Sequence, residues 1–160
     1  MSIDEDTFSP IERVILTHDG TVTRMLEALT GQPITVTILA RYIRGDTLYR
    51  TVALESALDP DPLVWATSEV DLQSLDPQYE AILRDQDIGI GAMFWNEQFE
   101  TFRELVDFDS ITAQEQFPSF INANTSKLLK RTYTIYHEKN NIMDIVEYFP
   151  KDKFEKFIEE

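Results

Sequence analysis

Two strand-like stretches each carry a charge where their pattern calls for an apolar residue. In "LYRTVALES" one face reads Leu48, Arg50, Val52, Leu54; in "IMDIVEYFP" it reads Met143, Ile145, Glu147, Phe149. An unpaired guanidinium or carboxylate is costly to bury, so such groups are paired with each other, left half exposed, or used on a ligand. If used, Arg50 holds an anion, and Glu147 is a carboxylate whose pKa is raised by burial. Arg131, on the Tyr133 and Ile135 face of "LLKRTYTIYHE", is a third candidate of the same kind.

Other chemistries have little to work with. His18-Asp19 resembles the metal-binding pair of phosphohydrolases, but those enzymes need further histidines and only His137 is left. A helix end followed by Asp19-Gly20 reads as a turn. "GIGAMF" lacks the lysine and spacing of a phosphate-binding loop. The acidic residues show no calcium-loop spacing. There is no cysteine, which excludes a disulfide framework, thiolate-bound zinc and a cysteine nucleophile.

These charges need elements to position them. "SPIERVILTHDG" starts a helix at Pro10, with Ser9 as N-cap and Glu12 closing a capping box, and ends near Thr17. Thr21 or Thr23 caps a second short helix, which Gly31 and Pro33 stop. "ITVTILARYI" alternates Ile34, Val36, Ile38, Ala40 and Tyr42 on one face; "RGDT" turns the chain into the Arg50 strand. "LVWATSEV" reads as a third strand and "LDPQYEAILRDQ" as a helix. "IGIGAMFW" reads as a turn into a short helix. "FETFRELVDF" fits helix or strand on periodicity alone, and "QFPSFINANTS" is loop-like. "LLKRTYTIYHE", the turn "KNN" and "IMDIVEYFP" form a hairpin, and "KDKFEKFIEE" a terminal helix. Five or six strands joined mostly by short turns predict an antiparallel α+β domain.

Length and composition agree with this. A chain of 160 residues that is 42% hydrophobic is long enough for one core. The net charge of −15 argues against nucleic acid, whose phosphates such a surface repels. No apolar run approaches membrane-spanning length, and the acidic start is unlike a signal peptide, so the expected location is the cytoplasm. All six lysines follow residue 126, leaving seven arginines as the only cations before it. For an anionic ligand those arginines must reverse the field locally, which makes their placement informative.

Read in order, "ILTHDGTVTRMLE", "YRTVAL", "PLVWATSEVDL", "IGIGAMF" and "KRTYTIYHEKNNIMDIVEYFP" resemble the chorismate pyruvate-lyase family, over about residues 11 to 150. The resemblance implies a single domain with its core over 11–150; the helical stretch at 151–160 is an extension that departs from compact members, which stop soon after their F-P. It also implies a six-stranded antiparallel sheet whose short flanking helices cover a buried ligand cavity. Members split chorismate into 4-hydroxybenzoate and pyruvate without a cofactor or metal, and compact members are monomers. The family's essential arginine matches Arg50, which pairs with the ring carboxylate. Its essential glutamate, in E-x-F-P, matches Glu147, which faces the ring hydroxyl. Backbone contacts to the product match Val22, in the flap formed by the opening helices, and Ile90, at the glycine turn.

Arg131 and Thr67 are further candidates for substrate binding, and at Thr67 the chain departs from the best-known members. They carry a second arginine in the third strand, where this chain has the A-x-S pattern of "WATSEV", as in another branch of the family. Chorismate is a dianion, so Arg131 or Arg103 is left to meet its second carboxylate. The alternative function is a non-catalytic protein that binds a small aromatic acid, like the effector domains of certain bacterial regulators. Those domains follow a DNA-binding module, and only about ten residues precede the first helix here.

Overall fold

The computed structural model describes residues 7–121 and 125–157. The acidic start "MSIDED", three residues of "QFPSFINANTS" and the last three of "KDKFEKFIEE" lie outside the described residues. Within them, no helix is long and apolar enough to cross a membrane.

α1 (Pro10–Thr17) starts as its capping box requires. Ser9 Oγ accepts from the Glu12 N–H at 3.3 Å, and Glu12 Oε1 accepts from the Ser9 N–H at 2.9 Å. Two of the orphan donors of the first turn are thereby satisfied. His18 takes an extended backbone and ends the helix. α2 (Val22–Thr30) follows and stops at Gly31, whose φ of 68° suits a residue without Cβ. Thr21 occupies the N-cap position, but its side chain makes no capping bond.

β1 (Ile34–Arg44) and β2 (Thr47–Ser56) form a hairpin through Gly45-Asp46, with Gly45 at φ 62°. β3 (Val64–Asp71) leads into α3 (Pro77–Asp85) and α4 (Ile90–Asn96), as the proline and glycine signals predict. "FETFRELVDF" resolves as strand: β4 (Phe102–Ile111). β5 (Leu128–His137) and β6 (Asn140–Pro150) form the second hairpin. Its turn is Glu138-Lys139, not "KNN"; both residues have positive φ, 50° and 68°, and Asn140 and Asn141 already belong to β6. α5 (Asp152–Glu155) is a four-residue helix, shorter than the extension expected over 151–160.

The six strands are antiparallel in the order β1-β2-β3-β6-β5-β4, so β6 inserts between β3 and β5. The helices pack on one face, and two apolar clusters form beneath them. Under α3 and α4, Leu48, Val70, Met143 and Ile135 meet Tyr79, Leu83, Met93 and Phe94. Under α1 and α2, Leu54, Val64, Phe149 and Leu129 meet Ile15, Leu16 and Leu26. The register places two cross-strand rows between these clusters: Arg50–Ser68–Ile145–Tyr133 and Val52–Ala66–Glu147–Arg131. The polar residues of the inner face therefore lie in the seam where the two helix pairs meet.

Edge-strand bulges adjust which residues join that face. In β1 the register shifts between Ile38 and Ala40, which breaks the expected alternation. Arg41, not Tyr42, continues the inward face and pairs with Arg50, while Tyr42 is exposed and stacks on Tyr49. A similar shift between Leu105 and Asp107 in β4 keeps Arg103, Leu105 and Phe108 inward.

Candidate functional site

A pocket of about 520 Å³, counting the open space at its mouth, occupies the seam. Its floor is the sheet: Arg50, Val52, Ala66, Ser68, Tyr133, Ile145 and Glu147. The start of α2 (Thr21, Val22, Thr23) and the start of α4 (Gly89, Ile90, Gly91) form its cover, and Arg103 stands in its wall. Neither helix start has a side-chain cap, so first-turn N–H groups are left for another acceptor. The two covers touch closely: a Cβ on Gly91 would overlap the Thr21 side chain.

The structure brings Arg50, Glu147, Val22 and Ile90 to this one pocket. Arg50 and Glu147 stand on the same sheet face, two strands and two residues apart. Ideal sheet spacing puts their Cα atoms about 12 Å apart, enough for a substituted ring between the side chains.

The two charges are not paired with each other. Arg50 is 2% exposed, and one terminal nitrogen donates to the Ile88 carbonyl at 2.5 Å. Its buried Nε has no partner, and no carboxylate among the described residues forms an ion pair with it. Burial, and secondarily the nearby Arg41 cation, lower its pKa from 12.5 to about 10. Arg50 remains charged at neutral pH, but its ionised form is disfavoured until an anion arrives.

Glu147 is 2% exposed and well partnered. Arg131 Nε donates to Oε1 at 2.5 Å and the Tyr133 hydroxyl donates to Oε2 at 3.0 Å. This corrects the expected carboxylate of an apolar cavity, because a buried cation faces it and fixes its orientation. Burial and then the Glu147 charge push the Tyr133 pKa up, so the phenol stays protonated as a donor.

Arg131 stands behind the pocket, not in its wall. Besides Glu147, its guanidinium donates to the carbonyls of His18 at 2.7 Å and Ile15 at 3.2 Å. These are last-turn acceptors of α1, so Arg131 joins the Glu147 carboxylate to the end of that helix. His18 Nδ1 lies 2.7 Å from the Ile15 carbonyl and 3.1 Å from Arg131 Nη1, which packs the ring between the helix end and the guanidinium. Burial and then Arg131 lower the His18 pKa. The "HDG" segment is thus a structural joint held by the cation that holds Glu147.

Thr67 does not reach the pocket. Its register partners, Thr51 and Val146, belong to the opposite sheet face, whereas Ala66 and Ser68 line the cavity. The A-x-S pattern therefore presents its two small residues inward. Tyr133 and Arg41 carry no local signal in the sequence, since the place of the first depends on the β5–β6 register and that of the second on the β1 bulge.

Residues 40–158 match the protein family described as "Chorismate pyruvate-lyase Rv2949c-like". A Methanocaldococcus jannaschii protein named "Putative lyase MJ0807" is 32% identical over 143 residues, an alignment covering 86% of this chain and 77% of that protein. Among solved structures, the effector domain of PhnF from Mycobacterium smegmatis superposes with a TM-score of 0.60 at 13% identity, covering 84% of this chain and 90% of that one. A GntR-family transcriptional regulator from Bacillus cereus gives 0.51 at 10% identity, covering 76% and 94%. At these identities the structural likeness is one of fold.

Proposed function

This chain belongs to the Rv2949c-like chorismate pyruvate-lyase family, and from that premise we propose that it converts chorismate to 4-hydroxybenzoate and pyruvate in the pocket between its helix pairs. The observation that carries the reading is the buried Arg50, which has no carboxylate partner among the described residues and shares its pocket with a Glu147 held in place by two donors.

The reaction removes the C4 hydrogen of chorismate and breaks the bond from C3 to the enolpyruvyl oxygen. The ring becomes aromatic, and the departing enol, with the proton gained, tautomerises to pyruvate. Aromatisation supplies driving force, so the protein's task is to orient the substrate and bind its charge. Arg50 meets the ring carboxylate, which restores the counter-charge that the ligand-free cation lacks. Glu147 accepts the hydrogen bond of the C4 hydroxyl; Arg131 and Tyr133 fix the carboxylate while leaving acceptor capacity toward the cavity. First-turn N–H groups at Val22 and Ile90 are the donors available beside the ligand. Because the helix starts cover the pocket, product release requires the Thr21–Gly91 contact to part.

The effector-domain likeness favours a second reading, a protein that binds a small aromatic acid without reacting it. Incubating the purified protein with chorismate, and following 4-hydroxybenzoate and pyruvate by chromatography, separates the two. Equimolar products that disappear in Arg50→Ala and Glu147→Gln support the lyase. Tight 4-hydroxybenzoate binding with no turnover would leave the binder.

A further inference from the structure

If the pocket takes chorismate, it must hold two carboxylates, and Arg50 meets only one. The remaining inward-facing arginines can be sorted by what already occupies them. Arg131 is 1% exposed and already bonded to Glu147, His18 and Ile15. Arg41 donates to the Gln86 carbonyl at 2.7 Å, pairs with Asp87 at 3.4 Å and does not line the pocket.

Arg103 is different. It is half buried in the pocket wall, and among the described residues it forms no ion pair, although the chain has 29 acidic residues. One terminal nitrogen donates to the Gly20 carbonyl at 2.8 Å, while the guanidinium carbon lies 5.4 Å from the Tyr133 ring centroid. The wider groove outside, lined by Asp19, Gly20, Phe94, Trp95 and Phe99, also has Arg103 in its wall. Arg103 therefore stands where the inner pocket opens outward, beside the ring that donates to Glu147.

We propose that Arg103 is the specificity-determining residue for the second carboxylate, that of the enolpyruvyl group; this rests on the lyase reading of the same pocket. Its remaining N–H groups can take the carboxylate while the bond to Gly20 persists. The substrate would then tie the α1–α2 joint to the sheet through Arg103. The product, with a single carboxylate, would leave that tie to the Gly20 bond alone. One residue thereby favours the dianion over the monoanion and favours release after the bond breaks.

The test uses two unreactive ligands that differ in the second acid, 3-(carboxymethoxy)-4-hydroxybenzoate and 3-methoxy-4-hydroxybenzoate. Their affinities are measured by calorimetry for the wild type, Arg103→Gln and Arg103→Lys, with melting temperatures recorded alongside. Loss of a charge-assisted contact predicts that Arg103→Gln weakens the dicarboxylate about 10- to 100-fold and the methoxy compound less than about 3-fold. Arg103→Lys should recover part of the difference. Equal weakening of both ligands would assign Arg103 a structural role through Gly20 and overturn the proposal, as would no change in either. Failure of both ligands to bind the wild type would overturn the pocket reading itself, and this proposal with it.

Discussion

Replacing Arg50 with methionine should make the ligand-free protein slightly more stable and nearly unable to bind. The depression of the Arg50 pKa from 12.5 to about 10 corresponds to about 3 kcal/mol against the charged form in the folded state. Methionine removes that penalty and fills much of the volume. Against this stands the Ile88 carbonyl, which loses its donor at a cost of about 1–2 kcal/mol. The balance favours the variant by about 1 kcal/mol, or about 2–4 °C in melting temperature for a domain of this size. Losing one partner of a buried ion pair should weaken 4-hydroxybenzoate binding by at least about 30-fold, roughly 2 kcal/mol. Thermal unfolding with and without saturating 4-hydroxybenzoate reads both effects: wild type rises with ligand, and Arg50→Met starts higher and does not move. A ligand-free melting temperature more than about 5 °C below wild type would refute the reasoning, because it would mean that the fold already compensates this cation.

Glu147→Gln should behave in the opposite way. It leaves Arg131 buried without a counter-charge, and denaturant unfolding should show a loss of about 3–5 kcal/mol along with lost turnover. In Gly91→Ala the added methyl displaces Thr21 and loosens the contact between the covers, so stopped-flow measurement should show faster product dissociation. His18 has a folded pKa below its unfolded value of 6.5, so the unfolded chain binds the extra proton. Stability should therefore fall as pH drops from about 7 through that window, levelling off once both states are protonated. His18→Gln, which cannot take up the proton, should flatten that part of the curve in urea titrations.

Much of the site was legible because strand alternation is local. A charge on an apolar face is visible from four neighbours, and both Arg50 and Glu147 were exposed that way. The capping box at Ser9 and Glu12 and the two-residue turn at Gly45-Asp46 are equally local. What depended on register was not legible. The pairing of Glu147 with Arg131, and not with Arg50, follows from β6 entering beside β5, which no single strand records. The β1 bulge exchanged Tyr42 for Arg41 on the inner face, and no glycine or proline marks it. The second hairpin turned at Glu138-Lys139, residues with little preference for positive φ, while the asparagines that suit it lie in the strand. Thr67 was misplaced for a related reason: a one-residue difference in a strand changes the face. Arg103 sat in a stretch that fitted helix or strand, so its direction was set only when β4 paired with β5.

The most direct test of the account is a crystal structure of the complex with 4-hydroxybenzoate. The carboxylate should lie on the Arg50 guanidinium and the hydroxyl on Glu147, with Arg103 still bonded to Gly20. A ligand bound in the reverse sense, or lodged in the outer groove with Arg50 still unpaired, would contradict it.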